Sequence, residues 1–319
     1  MTRRFLLLII IAALFTGCRG GGSSSRVAGA ADTVATALHA FPYPEAPSMI
    51  RGNDAILQWS AIHFWDRYIK MADGPADDEE LRGEAMSHYV LLLDRVSPDV
   101  VRAAQESAFS QAEAAEAANP EGQMLHRLLR TMQHYLADPN SPYRNQDYYI
   151  PILEKAVASP LCSEEEKTSA AYLLRLFSLN RIGEVAADFR YSLRNGRTGH
   201  LHGITSEWIV IMFSNPGCED CRATIEALQA DASLGKLLSD GRLTVLNIYP
   251  DSDLSLWFEY AGLYPREWIN GFDPDGKLHS DTIYYLPAIP SLYLLDGQKR
   301  VVCKDAPVER ILSRLKAVV

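Results

Sequence analysis

Large apolar residues follow a helical period through the first half of the chain. Between residues 53 and about 180 they recur every three or four positions, the spacing that places side chains on one face of a helix. Two stretches show this period best: Ile56, Trp59, Ile62, His63, Trp65 and Ile69, then Leu125, Leu128, Leu129, Met132 and Tyr135. Prolines interrupt the region, among them Pro98, Pro120, Pro139, Pro142 and Pro160. Because proline does not fit a helix interior, we predict about five or six helices in an all-α domain.

Beyond residue 182 the pattern changes to short strands. Residues 187–193 and 198–201 flank Asn195-Gly196, a pair that favours a tight hairpin turn. The apolar runs at Trp208–Phe213 and Leu243–Tyr249 predict buried strands. We further predict helices over residues 219–232, with Ile225, Leu228 and Leu234 inward, over 254–261 and over 308–318, and a hairpin of strands at 292–295 and 300–303 opened by Pro290.

These patterns predict an α+β multidomain protein. An N-terminal all-α helical domain, residues 41–182, precedes a C-terminal α/β domain, residues 183–319. No fixed internal repeat is evident in the helical part.

The start of the chain has the pattern of an export signal. Arg3 and Arg4 precede an almost wholly apolar run at residues 5–15, and roughly a dozen apolar residues are too few to span a bilayer, which takes about twenty. The run ends in Phe15-Thr16-Gly17-Cys18, which resembles a bacterial lipobox. That resemblance implies cleavage of residues 1–17 and lipidation of Cys18. The alternative is an ordinary cleaved signal that discards Cys18 or leaves it free.

A tether would then connect the lipid to the folded protein. Residues 20–25 are all glycine or serine, and such segments behave as flexible coil, so we predict a tether over residues 18–40. The expected location is the cell envelope, with the protein anchored to a membrane by lipid and facing the periplasm. The sequence leaves open whether the inner or the outer membrane holds the anchor.

Composition narrows the possible functions. The formal net charge of -9 argues against nucleic-acid partners and against a polybasic lipid-binding face. Five cysteines are too few for a disulfide scaffold in 319 residues, so stability must come from hydrophobic cores.

Two of the cysteines form a CxxC motif, Cys218-Glu219-Asp220-Cys221, at the start of a predicted helix. Cysteines three positions apart on a first helical turn can close a small disulfide, and the helix N-terminus offers free N–H groups to a thiolate. We therefore predict a redox dithiol in which Cys218 is the nucleophile and Cys221 the resolving thiol.

Two other interpretations of the motif remain, half of a metal site and an inert structural pair. A zinc site needs two more ligands, and the sequence contains no second CxxC, HxxxH or CxxH. His63, His88, His126 and His134 lack ligand spacing, so we expect no metal and no cofactor.

Residues 183–319 resemble the thioredoxin fold in their order of elements. The resemblance rests on the residues around the CxxC motif, Phe213 to Cys221, and on Ala288-Ile289-Pro290-Ser291. The opening hairpin is similar to that of the TlpA-like and AhpC/TSA-like branch of the superfamily. The resemblance to the thioredoxin superfamily implies a cis peptide between Ile289 and Pro290. This peptide would face the dithiol and help to bind an extended substrate chain.

The helical part resembles a second family. Its opening, Phe41-Pro42-Tyr43-Pro44, and the proline-containing segments at residues 138–142 and 149–151 are similar to the uncharacterised DUF5106 region, which precedes thioredoxin-like domains in lipoproteins of Bacteroidetes. That region carries no known chemistry.

The motif departs from the thioredoxin pattern in ways that limit its chemistry. Gly217 replaces the usual tryptophan, and Glu219-Asp220 replaces Gly-Pro, so two carboxylates oppose a thiolate on Cys218. We expect a reductase or isomerase tendency rather than an oxidase. Met212 and Thr224 stand where relatives carry a proton-shuttling carboxylate, and Glu226 nearby has the pattern of a surface charge.

A peroxidase is a less favoured interpretation. Peroxiredoxins place a threonine three positions before the attacking cysteine, and here that position is Asn215. The hydrogen-bond donors needed to polarise a peroxide are therefore not evident in the sequence.

The remaining cysteines and tryptophans have simpler interpretations. We predict that Cys162 and Cys303 are small buried hydrophobes. The five tryptophans should fill cores, with a substrate groove as the alternative for Trp257 and Trp268.

Two functional hypotheses follow. The first is a lipid-anchored periplasmic thiol-disulfide oxidoreductase whose partners are protein disulfide substrates and an unidentified membrane electron donor. The second is an envelope binding or scaffolding lipoprotein, in which the helical domain engages a partner and the dithiol is secondary.

Overall fold

Helices form the N-terminal part of the molecule, as the sequence predicts. The computed structural model describes residues 41–71, 79–280 and 282–319, so the predicted signal segment, the tether and Cys18 lie outside the described residues. Its N-terminal helices are α1 Asn53–Ile62, α2 Asp66–Ile69, α3 Glu79–Leu93, α4 Pro98–Ala118, α5 Met124–Leu136, α6 Gln146–Ala158 and α7 Glu164–Phe177, with a 3₁₀ turn at Pro120–Gly122. Six of these helices have ten residues or more, in agreement with the prediction.

Local chemistry explains where several of these helices begin. Pro98 occupies the first turn of α4, where its missing N–H costs nothing. Asn145 accepts a hydrogen bond from the Tyr148 N–H at the start of α6. Ser163 and Glu166 form a capping box at the start of α7.

One stretch differs from the predicted helical pattern. Helix α1 ends at Ile62, and the chain turns before α2, so the buried rings are Phe64, Trp65 and Tyr68. Ile56, which the spacing assigns to the buried face, is 39% exposed. Aromatic packing decides this local geometry, since Phe41 stacks on Phe64 with ring centroids 5.2 Å apart.

A mixed seven-stranded sheet forms the C-terminal part. Its strands are β1 Arg190–Leu193, β2 Thr198–His200, β3 Trp208–Phe213, β4 Leu243–Tyr249, β5 Ile269–Phe272, β6 Ser291–Asp296 and β7 Val301–Cys303, in the spatial order β2-β1-β5-β4-β3-β6-β7. Strands β3, β4 and β5 are parallel, and β6 runs antiparallel to β3. The remaining helices are α8 Glu219–Ala230, α9 Ala232–Ser239, α10 Leu254–Tyr260, α11 Lys277–Ser280 and α12 Val308–Lys316.

The central strand β3 is buried on both faces. Ile209, Ile211 and Phe213 belong to one apolar core, and Val210 and Met212 belong to the other, which α8, α9 and α12 cover. This alternation explains why the strand is a continuous apolar run in the sequence.

The predicted helix over residues 219–232 is in fact two helices. Asp231 ends α8, and its carboxylate accepts hydrogen bonds from the N–H groups of Ser233 and Leu234, which starts α9. Leu234 therefore packs from α9 and not from the helix that carries the CxxC motif.

Residues 41–319 form one compact unit. After α7, residues 182–185 run along β7, where the Gly183 N–H donates to the Val301 carbonyl at 2.8 Å. No helix in the described ranges is long and apolar enough to cross a membrane.

Candidate active site

Cys218 lies at the N-terminus of α8, directly after the loop that follows β3. Its Sγ accepts a hydrogen bond from the Cys221 N–H at 3.1 Å, so the sulfur itself caps the helix. Gly217 has a φ of +74°, a conformation that few other residues adopt, and it turns the chain into this position. The helix N-terminus therefore holds the sulfur where a negative charge is stabilised.

The two thiols differ in burial. Cys218 is partly exposed, whereas Cys221 is only 2% exposed, and both are free cysteines in the structure. Burial raises the pKa of Cys221 well above its usual value, and the neighbouring Cys218 and the Asp220 carboxylate raise the pKa further. Cys221 therefore keeps its proton, and Cys218 is the thiol that a substrate can reach.

The segment before β6 faces this dithiol. The peptide between Ile289 and Pro290 is cis, and the Cys218 Sγ lies 3.9 Å from the Ile289 carbonyl oxygen. Four residues that the sequence singles out, Cys218, Cys221, Ile289 and Pro290, thus lie together, although about 70 positions separate the two pairs.

A cavity of about 400 Å³ opens beside the sulfurs. One wall comes from α8, with Ile225 and the charged side chains of Arg222 and Glu226. The opposite wall comes from the chain after α10, where Leu263 is 79% exposed. The cavity can take an apolar group next to a reacting disulfide.

Comparison with known proteins identifies the family. The family described as Domain of unknown function (DUF5106) matches residues 21–180, about half of the chain. A thioredoxin-like protein from Bacteroides caccae has 31% sequence identity, with 87% of this chain and 98% of that chain covered, and superposes with a TM-score of 0.75. The chain belongs to the DUF5106 family and carries a thioredoxin-like domain.

Two further solved structures match less than half of this chain. The C-terminal domain of an uncharacterized protein from Bacteroides fragilis is 36% identical, with 43% of this chain and 98% of that chain covered and a TM-score of 0.42. The thioredoxin domain of a thiol-disulfide oxidoreductase from Bacteroides vulgatus is 16% identical, with 44% and 98% covered and a TM-score of 0.39. No curated protein matches the chain.

A polar network that starts at Ser214, just before the CxxC loop of this DUF5106 protein, is absent from the sequence predictions. Ser214, 1% exposed, donates to the Asn247 side-chain oxygen, and the Asn247 amide donates to Asn270 at 3.2 Å. Asparagine in the otherwise apolar strand β4 is the signal that could have revealed it, because buried polar groups need partners.

Tyr264 lies between this network and the cavity. Burial raises its pKa to about 12, although Ser214 is close enough to lower that pKa slightly. The hydroxyl has no hydrogen-bond partner of ordinary geometry among the described residues. It is a neutral, protonated group within reach of the dithiol.

Met212 and Thr224, the two positions at which the thioredoxin resemblance implies a proton-shuttling carboxylate, are both buried. Met212 is fully buried, and Thr224 is 9% exposed. The Glu226 side chain is 63% exposed and binds Arg222 at 3.1 Å, as the sequence predicts for a surface charge. Its carboxylate is thus engaged at the rim of the cavity.

In the described part of this DUF5106 protein, Cys162, Cys303 and three tryptophans, Trp65, Trp257 and Trp268, are buried in cores. The prediction is wrong for Trp59, which is half-buried and belongs to no core of the described residues, and Trp208 is also only half-buried. Cys162 and Cys303 are 3% and 2% exposed. Trp257 and Trp268 are 1% and 5% exposed, so neither lines a groove. In the described part of the chain, no three His, Cys, Asp or Glu side chains are grouped as metal ligands would be.

Proposed function

We propose that this protein is a thiol-disulfide oxidoreductase of the cell envelope that reduces or isomerises protein disulfides through Cys218 and Cys221. One observation carries the proposal. A reachable thiol at a helix N-terminus lies above a buried, protonated thiol and 3.9 Å from the carbonyl of Ile289. This is the arrangement that thiol-disulfide exchange requires.

The reaction proceeds in two exchange steps. The Cys218 thiolate attacks one sulfur of a substrate disulfide, which forms a mixed disulfide and releases the other substrate sulfur as a thiolate. Cys221 then attacks Cys218 Sγ and breaks the mixed disulfide, and the second substrate sulfur takes up the proton that Cys221 gives up and leaves as a thiol. The substrate gains two electrons, and the enzyme leaves as a Cys218–Cys221 disulfide. An external dithiol donor must return the two electrons.

The substrate chain pairs with the edge at Ile289 and Pro290. A disulfide substrate that lies against the Cys218 sulfur is close to the Ile289 carbonyl, which can accept a backbone hydrogen bond. The apolar wall at Leu263 favours substrates with an apolar residue beside the cysteine.

The location rests on the N-terminal sequence. Residues 1–17 are the lipoprotein signal, Cys18 carries the lipid, and residues 18–40 are the tether that lets the folded unit reach substrates in the periplasm. In that compartment disulfides persist, so a reductant needs a membrane protein as its electron donor.

Trapping experiments test the activity. Cys221→Ala should stop the reaction at the mixed disulfide, so covalent adducts that release on reduction should accumulate on Cys218 in envelope extracts. Cys218→Ala is the matched control and should form no adducts. Absence of adducts, together with a Cys218 thiol that resists alkylation, would contradict the proposal.

A further inference from the structure

The helical region contacts the segment before Pro290 through a hydrogen bond and an aromatic pair. The Asn180 amide, at the end of the helical region, donates to the Ile283 carbonyl at 2.8 Å. Phe177 of α7 packs against Tyr285, with ring centroids 5.7 Å apart, and Tyr285 is a partly buried residue that packs against the helical core. This segment is therefore held from one side by residues that are more than 100 positions away in the chain.

The helical region also reaches the residue after Pro290. Ser291 is fully buried, and its hydroxyl donates to Asp305 Oδ1 at 2.8 Å. The other carboxylate oxygen of Asp305 accepts from the Gln146 amide of α6 at 3.1 Å. Arg144 donates to the Asp305 carbonyl at 3.0 Å. Asp305 thus joins α6 to the strand that begins at the redox site.

Burial of the Asp305 carboxylate is unfavourable in free energy unless its oxygens are hydrogen-bonded. Asp305 is 4% exposed and has a φ of +42°, which is uncommon for residues other than glycine. Burial raises its pKa, against the opposing effects of Arg144 and the Ser291 hydroxyl. A buried carboxylate needs all of its partners, and loss of one leaves an unsatisfied acceptor. The two hydrogen bonds to the Asp305 carboxylate, from Gln146 and from Ser291, therefore form a link of defined geometry between α6 and β6.

We propose that the helical region is a positioning element of the redox site, and that Asp305 is the positioning residue that fixes the Ile289–Pro290 edge to α6. This inference rests on the proposed function. The edge binds an extended protein chain, so its placement determines how well a protein disulfide is held against Cys218. A small disulfide contacts only the Cys218 sulfur, so its reaction rate does not depend on where the Ile289–Pro290 edge lies.

The test removes the link at two points, one in α6 and one directly after Pro290. Gln146→Met deletes the donor from α6, and Ser291→Ala deletes the donor next to Pro290. Each variant should raise the KM for an oxidised protein substrate, whose disulfide the enzyme reduces, about fivefold to tenfold. The rate with a small aromatic disulfide should stay within about twofold of the unmodified protein. The double variant should be no worse than the poorer single variant, because both break one link.

A second measurement does not depend on activity. Hydrogen exchange of the backbone at residues 283–292 should become faster in Gln146→Met, although the substitution lies in α6. Glu116→Gln is the matched control, since Glu116 is a buried carboxylate that binds the Leu125 and His126 N–H groups within the helical region. It should leave both the KM and this exchange unchanged.

Three results would overturn the inference. They are an unchanged KM in Gln146→Met, unchanged exchange at residues 283–292, and an equal loss of activity towards small and protein disulfides, which indicates general loss of structure. Failure of the proposed function gives a different result. In that case the unmodified protein does not reduce even the small disulfide, and the exchange measurement still decides the positioning role.

Discussion

At the residue scale, unequal burial gives two chemically identical thiols different accessibility and different pKa values. Cys218 caps α8 at the surface, and Cys221 lies one turn later against the apolar core of Val210 and Met212. The motif alone predicts the order of attack, but only the fold shows that Cys221 is kept protonated by burial.

Alkylation tests this division. In the reduced native protein, Cys218 should react with iodoacetamide at least tenfold faster than the other described cysteines, because Cys162, Cys221 and Cys303 are each at most 3% exposed. Mass spectrometry of each cysteine peptide measures the rates, with denatured protein as the control in which all react. Equal rates in the native protein would contradict the assignment.

Cys303 provides a test at alkaline pH. Burial raises its pKa from 9.0 to about 11, so the unfolded chain loses this proton at a lower pH than the native protein. Ionisation therefore favours the unfolded state, and the free energy of unfolding should fall between pH 9 and 11, by on the order of 2 kcal/mol from this thiol. Denaturant unfolding of the reduced protein should show a smaller fall in Cys303→Ala. Parallel curves for the two proteins would contradict the expectation.

At the element scale, the sequence predicts best where one signal dominates. Strands β3 and β4 match their predicted bounds because each is a continuous apolar run. Strand β5 escapes prediction because its four residues include Asn270 and Gly271. Gly271 lies so close to β1 that an added Cβ would meet the Ser192 carbonyl oxygen at 3.0 Å, a constraint that only the folded sheet reveals.

The start of α8 combines helix capping with reactivity. Serine is a strong N-cap residue and alanine a weak one, so Cys218→Ser should be more stable than Cys218→Ala by about 1 kcal/mol while both lack activity. Denaturant unfolding measures the difference. An equal stability of the two variants would show that the side chain at position 218 does not cap the helix.

At the scale of the whole molecule, the helical and thioredoxin-like regions form one compact unit. The local motifs predict Cys218, Cys221, Ile289 and Pro290, but not the link through Gln146 and Asp305, which are 159 positions apart. Deletion of the helical region would remove these contacts as well as any partner site. Point variants such as Cys218→Ser therefore separate the redox hypothesis from the scaffolding hypothesis more cleanly than truncation does.

The predicted lipid anchor would determine where the whole molecule is located. Cys18→Ser should remove the acylation site and move the protein from the membrane to the soluble envelope fraction, because the attached acyl chains supply the membrane affinity. Fractionation followed by immunoblotting measures the change, with Cys162→Ser as the control that keeps the membrane location. Membrane retention of the Cys18 variant would contradict a lipid anchor.

The reduction potential of the Cys218–Cys221 couple tests the central claim most directly. Equilibration with glutathione buffers of known potential, followed by quantification of the two thiols, gives this value. A reductase or isomerase should show a single two-electron transition at or below about -180 mV, whereas a strong oxidant lies near about -120 mV. A value near that of the oxidant, or no reversible couple between these two cysteines, would contradict the account.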